Sequence, residues 1–231
     1  MTPQRRARRG HIRVVGVLPR LVGMSVCAGV LFTGCTTDGQ AVGNSAADLS
    51  DRAVLPADFP VSGATRVPGM AVPFALAGVS GNDPAVAYPV DCAPRAPSSA
   101  GAVVTSVIVA GGASSYTSAI ARAPDGLAEV LAQAGRCPET RTGGQRAGSI
   151  VATRIQPAPP SPAGVATAAL QRTAFTGDTS HSAATSSLTL LGQRGDIRVY
   201  AQYRWAGDGG IDPAAVRNLD ALFAKAVAAA L

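Results

Sequence analysis

The chain has 231 residues, of which 47% are hydrophobic and 15% are charged, and its formal net charge is +6. Six of the 20 basic residues precede Cys35, and the 14 that remain balance the 14 acidic residues. The basic character therefore belongs to the N-terminal segment. The rest of the chain is not predicted to bind nucleic acid through a basic surface.

The first 34 residues have the pattern of an export signal. Residues 1–20 contain six arginines and no acidic residue, and residues 21–32 form an uninterrupted run of apolar or small residues. A basic start followed by a short apolar core is typical of a secretory signal peptide. As a helix this run is too short to cross a hydrocarbon core of roughly 30 Å. We therefore predict a signal peptide over residues 1–34, with an uncleaved membrane anchor as the alternative.

The apolar run ends at a cysteine. The segment Phe32-Thr33-Gly34-Cys35 resembles the bacterial lipobox, although the family prefers Leu or another aliphatic residue where Phe32 stands. The resemblance implies that Cys35 is lipidated through a thioether and becomes the N-terminus of a protein anchored on the extracytoplasmic face of the cell membrane. Two or more acyl chains give stable anchoring. The alternative is ordinary signal cleavage nearby, with Cys35 only ending the apolar core.

The other cysteines agree with export. Cys27 would leave with the signal, so Cys92 and Cys137 are the two that remain besides Cys35. An even pair in an exported domain is most simply one disulfide, and a loop of this length would contribute roughly 4 kcal/mol. Two separate thiols or half of a metal site are the alternatives, but no CxxC motif or histidine cluster supports a metal.

Composition divides the remaining chain into a linker and one domain. Residues 35–53 are predicted to be the lipidated cysteine and a flexible tether, because they are mostly small and polar. Residues 54–231 are predicted to form a single domain. Its first part, residues 55–100, is rich in Pro and Gly, which disfavours long helices and central strands, so it is predicted to drape over the core.

Regular elements follow from residue 102 onward. Alternating or β-branched runs predict strands at 102–109, 115–122, 149–156, 165–175, 187–192 and 197–205. A helix is predicted to begin at Pro124-Asp125 and end at Gly135, and another to follow the N-cap Asp212 to the end of the chain. These elements predict an α+β fold, a two-layer sandwich of an antiparallel sheet with helices packed on one face.

The strand at 197–205 carries the clearest candidate binding residues. Its apolar residues alternate with a polar row, successive members of which lie about 6 to 7 Å apart, and the row comprises Arg198, Tyr200, Gln202 and Arg204. Planar guanidinium groups suit carboxylate and phosphate ligands, so this row is the predicted ligand-binding site. The alternative is an ordinary solvated sheet face.

No catalytic, metal or cofactor motif is predicted. His181, the one histidine beyond the leader, lies in a polar segment, and Ser80 lacks the second glycine of a nucleophile elbow. The glycines of TGGQRAGS lack the lysine of a phosphate-binding loop. Asp208 and Asp212 suit a turn and a helix cap better than a calcium site.

Several segments of the domain carry a family resemblance: LPADFP, DCAP, APDGLAEVLAQAGRCP, ALQRTAF, RGDIRVYAQYRW and LDALFAKAVAAAL. Across roughly residues 54–231 the chain resembles actinobacterial (mycobacterial-type) envelope lipoproteins related to the extracellular sensor domain of PknH-type serine/threonine kinases. The resemblance implies an α+β domain with a cleft that binds a ligand without catalysis. The chain departs from the kinase sensor, which has two disulfides, by retaining one cysteine pair and no attached kinase.

These observations favour a lipid-anchored envelope protein with a non-catalytic, sensor-like or ligand-binding domain. Its expected partners are the membrane, through the lipid on Cys35, and a small molecule or an envelope protein. One alternative is a scaffold lipoprotein that binds proteins through a flat surface, and another is a hydrolase with an unrecognised site.

Overall fold

The computed structural model describes residues 47–82, 88–142, 149–176 and 183–231. The predicted signal peptide, Cys35 and most of the predicted tether lie outside these ranges. Within them, the chain has an α+β fold with a large antiparallel sheet, which confirms the predicted fold class. No helix in these ranges combines the length and the hydropathy needed to cross a bilayer.

The described residues form eight strands and three α-helices. The strands are β1 (Thr65–Arg66), β2 (Ser98–Ile108), β3 (Ser114–Arg122), β4 (Glu139–Thr142), β5 (Ser149–Gln156), β6 (Ala166–Thr176), β7 (Ala183–Arg194) and β8 (Ile197–Ala206). The helices are α1 (Val72–Ser80), α2 (Leu127–Arg136) and α3 (Pro213–Ala230). All strand pairs are antiparallel, in the order β1-β2-β3-β8-β7-β6-β5-β4.

Local sequence explains the boundaries of the main elements. Gly111 and Gly112 have φ values of 94° and 74°, which suits the tight turn between β2 and β3. At the start of α3, the Asp212 carboxylate accepts a hydrogen bond from the Ala214 N–H at 2.8 Å. Pro213 occupies the first turn, where a missing N–H costs nothing.

Three elements were not predicted: β1, β4 and α1. The two strands are too short to show a periodic pattern. Helix α1 was not predicted because the Pro and Gly content of residues 55–100 was taken to disfavour long helices, whereas Pro73 lies in the first turn of this short helix, where proline is tolerated. Three of its residues nevertheless have helical spacing and are buried, namely Val72, Leu76 and Val79.

One face of the sheet is covered by α3. Leu219, Phe223 and Val227 of this helix belong to one buried cluster with Val199 and Ala201 of β8. Residues that precede β1 complete the same cluster, among them Leu49, Val54 and Phe59.

The folded part begins earlier than the predicted boundary at residue 54. Leu49 is only 2% exposed, and its N–H donates to the Gly101 carbonyl at 3.0 Å. Arg52 also donates from Nε to the Ala230 carbonyl at 3.1 Å, at the end of α3. Leu49 was assigned to the tether because it is a lone apolar residue among small polar ones, yet its burial makes it part of the core.

The opposite face of the sheet is covered by α1 and α2, so the predicted packing of helices on one face is corrected. A second buried cluster joins Leu76 of α1 and Leu127 of α2 to the sheet residues Leu170, Leu191 and Tyr200. The domain therefore has three layers. The expectation failed because the polar residues of β8 suggested a wet face, whereas Tyr200 is buried on that side with Ala119 of β3 and Leu191 of β7.

Cys92 and Cys137 form a disulfide in the structure, with their Cα atoms 5.7 Å apart, as predicted. The bond joins the segment that follows α1 to the residue that ends α2. Beside it, the Gln133 side chain donates to the Ala93 carbonyl at 2.7 Å. The segment is thereby fixed against α2.

Candidate ligand-binding site

A cleft of about 520 Å³ lies between α1 and α2, above the sheet surface formed by β5 to β8. Pockets that bind small molecules usually measure about 300 to 1,000 Å³ and combine apolar walls with a few polar groups. The cleft has both features, and its wall includes the Cys92–Cys137 disulfide.

The floor of the cleft carries a row of four polar residues on adjacent strands. Thr153 of β5 lies opposite Arg172 of β6, Arg172 lies opposite Ser187 of β7, and Ser187 lies opposite Arg204 of β8. Residues directly opposite each other in a sheet present their side chains on the same face. Two arginines are therefore separated by one strand, or about 10 Å between their Cα atoms.

Arg172 lies against the C-terminal end of α1. A Cβ atom at Gly81 would be 2.5 Å from the Arg172 Cζ atom, and Gly81 has a φ of 75°, so this helix cap needs glycine for two reasons. Within the described residues, Arg172 makes no hydrogen bond or ion pair. Burial lowers the pKa of Arg172 to about 10, which still leaves the guanidinium charged at neutral pH.

Arg204 occupies the more open part of the floor. Its side chain is exposed, and a Cβ atom at Gly78 would be 3.5 Å from its Nη2 atom. Helix α1 thus presents Gly78 beside Arg204, and its cap Gly81 lies against Arg172. Ala77 and Phe74 of the same helix also line the cleft.

The walls are mainly apolar. The residues that form them include Phe74, Val130, Ala134, Val151, Leu170 and Ala174. None of the described lining residues is an aspartate, glutamate or histidine, so the two arginines give this part of the cleft a net positive charge. Such a cavity favours an anionic group at the floor and apolar atoms along the walls.

Three members of the predicted binding row are buried beneath the helices rather than exposed. Arg198 is 3% exposed, and its Nη2 atom donates to the Asp125 carboxylate at 2.8 Å and to the Asp125 carbonyl at 2.7 Å. Its Nε atom donates to the Gln193 side chain at 2.9 Å. Because Asp125 lies two residues before the start of α2, this network holds the start of that helix on the sheet.

Tyr200 and Gln202 are likewise enclosed. Burial raises the pKa of Tyr200, and the Gln202 side chain donates to the Thr189 hydroxyl at 2.9 Å. Neither residue lines the cleft, and of the predicted row only Arg204 does. The expected exposed row is therefore corrected to one exposed arginine and three buried residues.

Arg172 and Ser187 were not identified from the sequence. A signal for Arg172 was available, because alternation along β6 places it on the same face as Ala168 and Leu170, which are both buried. A charged residue that continues an apolar face is a candidate for the floor of a site. Ser187 has no comparable signal.

A second concavity, of about 580 Å³, lies between α3 and the segment 159–165. It is strongly apolar, and its charged residues are Arg194 and Asp220. Arg194 is already bonded to the carbonyl groups of Ala163 and Leu231. This groove therefore has fewer available polar groups to orient a ligand than the cleft between α1 and α2.

Of the remaining sequence candidates, those that the structure describes do not form a metal site. His181 lies outside the described residues, and Asp212 is the cap of α3. Among the residues that the structure describes, no three His, Cys, Asp or Glu side chains are close enough to hold a metal ion. Comparisons of the chain with protein-family models, with curated proteins and with solved structures found no match.

Proposed function

We propose that the chain is a lipid-anchored protein of the cell envelope whose folded domain binds a small molecule in the cleft between α1 and α2. The observation that carries the proposal is the pair of arginines, Arg172 and Arg204, on the floor of an otherwise mainly apolar cavity. A desolvated guanidinium that has no partner among the described residues, as Arg172 has none, gains most from an anionic ligand. The proposed role is binding or sensing, without chemical conversion of the ligand.

Two features of the sequence support the proposed location. Phe32-Thr33-Gly34-Cys35 resembles a lipobox after a basic and apolar leader, and the disulfide Cys92–Cys137 suits an oxidising compartment. The resemblance to the extracellular sensor domain of PknH-type kinases supports the same location and a ligand-binding role. The membrane anchor would then keep the cleft at the surface of the envelope.

The test uses the full-length chain, expressed with its own leader and purified from bacterial membranes. Native mass spectrometry would compare the wild type with Ala134→Trp, which fills the cleft, and with Ala132→Trp, a matched change at an exposed position of the same helix. We expect one small molecule on the wild type and on Ala132→Trp but not on Ala134→Trp. A chain that carries no small molecule and instead retains a protein partner would favour the scaffold alternative.

The same spectra test the anchor. We expect an N-terminus at Cys35 with the added mass of acyl chains, and we expect Cys35→Ala to leave the membrane fraction without it. A wild-type chain that starts elsewhere and carries no lipid would overturn the proposed anchor. That result would leave the proposed role of the cleft unaffected.

A further inference from the structure

We propose that the ligand of the cleft is an anionic amphiphile, a membrane lipid with a phosphate or carboxylate head and a single hydrocarbon chain. This inference rests on the proposed binding function and adds the chemical class of the ligand. Three observations carry it: the basic floor, the apolar walls and the exposed hydrophobic residues in the two segments that contribute Phe74 and Cys92 to the cleft.

The floor fits the charged head. Arg172 and Arg204 flank Ser187, whose side chain makes no hydrogen bond to another described residue. An anionic oxygen cluster above Ser187 would accept hydrogen bonds from a guanidinium on each side and from the serine hydroxyl. Arginine recognises carboxylate and phosphate groups through paired N–H donors, and such charge-assisted bonds are stronger than neutral ones.

The walls fit the hydrocarbon part. Val151 of β5 lies opposite Ala174 of β6, and Val130 and Ala134 of α2 also line the cleft, so an apolar surface lies between the sheet and α2. A small polar anion would leave this surface in contact with water, whereas a neutral apolar ligand would leave the Arg172 guanidinium without a partner. Only a ligand that has both parts satisfies the floor and the walls together.

Two segments that supply residues to the cleft, which we call the rim segments, also carry exposed hydrophobic side chains. In residues 69–74, Met70 and Phe74 are 88% and 71% exposed, and in residues 88–92, Tyr88 and Val90 are 59% and 70% exposed. Both segments also contribute lining residues, namely Phe74 and Cys92. Met70, Tyr88 and Val90 thus lie within four residues of a residue that lines the cleft, which suits contact with a bilayer while a lipid enters.

The affinity experiment uses the full-length chain in phosphatidylcholine nanodiscs, with empty nanodiscs as the blank. The probes are radiolabelled octyl phosphate, octanol and inorganic phosphate. We expect octyl phosphate to bind at one site and much more tightly than the other two probes. Arg172→Gln and Arg204→Gln should each weaken this binding about tenfold or more, since hydrogen bonds to charged groups contribute about 1.5 to 3 kcal/mol and 1.4 kcal/mol is tenfold.

Arg154→Gln is the matched control, because Arg154 is exposed on β5 but points to the opposite face from Thr153. Equal affinity for octyl phosphate and inorganic phosphate would overturn the role of the hydrocarbon chain. Equal affinity for octyl phosphate and octanol would overturn the role of the arginines. If a co-purified molecule depends on Ala134 but is not displaced by octyl phosphate, the inference fails while the proposed function stands.

A transfer experiment tests the membrane source. Vesicles that contain lysophosphatidic acid would be mixed with the chain in nanodiscs, and the rate of lipid capture would be measured for Met70→Ser/Val90→Ser. Neither residue lines the cleft, so affinity for octyl phosphate should be unchanged while capture slows severalfold. Leu55→Ser, which changes an exposed leucine (57%) outside the two rim segments, is the control. Unchanged capture by the double variant would overturn a membrane source.

Discussion

The two faces of the sheet are built from alternate residues of the same strands, yet they are covered in different ways. A single helix of 18 residues, α3, lies along one face and buries seven of its residues there or nearby. Two shorter helices, α1 and α2, with 9 and 10 residues, cover the other face. The space that they leave between them is the candidate site.

This difference shows which face of the sheet has room for a binding cleft. Where α3 packs over β7 and β8, side chains leave little room, and a Cβ atom at Gly192 would lie 3.1 Å from Val199 and Val227. On the other face, Gly78 and Ala77 of α1 leave room above the sheet. The open face then depends on specific ties, a disulfide and a buried ion pair, to hold its short helices in place.

The largest expected effect comes from the disulfide. Replacing both cysteines, in Cys92→Ala/Cys137→Ala, should lower the free energy of unfolding by about 4 kcal/mol, because the bond closes a loop that spans 45 residues. Urea unfolding of the oxidised wild type and the double variant measures this. The reduced wild type is the internal control and should resemble the variant. Equal midpoints for all three would mean that α2 is held without the bond.

The buried ion pair should have the next largest effect. Asp125→Ala leaves the Arg198 guanidinium without its carboxylate in a buried site, and we expect a loss of about 3 kcal/mol. The matched control is Asp196→Ala, which breaks the more exposed pair with Arg122 and should cost at most about 1 kcal/mol. Urea unfolding distinguishes the two. Similar losses for both variants would show that Asp125 does not anchor α2.

Substitutions at Gly192 and Gly78 compare the packing on the two faces of the sheet directly. Gly192→Ala introduces a methyl group 3.1 Å from two valine methyl groups, and such overpacking typically costs about 1 to 3 kcal/mol. Gly78→Ala places a methyl group at an ordinary 3.5 Å from Arg204 and should gain up to about 1 kcal/mol, because alanine favours helices more than glycine does. The changes in unfolding free energy should therefore have opposite signs. The same sign for both would contradict the difference in packing.

The fold could be predicted from the sequence where periodic patterns are long. β8 alternates over ten residues, and α3 combines a cap at Asp212 with an apolar stripe, so both were located to within one or two residues. Short elements such as α1 and β4 offer no such pattern. The presence of helices on both faces of the sheet was also not predicted. The polar alternation along β8 does not show which residues the neighbouring strands place on the same face, or whether a helix covers them.

The candidate site could be predicted only in part. The row of polar residues on β8 was recognised, but sequence cannot distinguish an arginine that binds a ligand from one that pairs with a residue 73 positions away, as Arg198 does with Asp125. The cleft itself depends on where α1 and α2 come to rest. Arg172 and Arg204 become neighbours only through the register of β6, β7 and β8, which no local pattern fixes.

The smallest expected effect concerns the apolar groove beside α3. Desolvation raises the pKa of Asp220, so the folded state binds this proton more tightly than the unfolded chain, and the ionised carboxylate reduces stability at neutral pH. Asp220→Asn should therefore have a slightly higher melting temperature than the wild type at neutral pH. The difference should vanish as the pH falls through the raised pKa, because the wild-type carboxyl group is then neutral as well.

Asp58→Asn serves as the control for Asp220→Asn, because Asp58 pairs with Lys225 of the same helix at 3.3 Å. Removing that charge should slightly lower the melting temperature at neutral pH, which is the opposite sign. Melting curves over a series of buffers from neutral to acidic pH would measure both variants. If Asp220→Asn also lowered the melting temperature, the carboxylate would be stabilising, and the groove beside α3 would be more polar than its lining residues indicate.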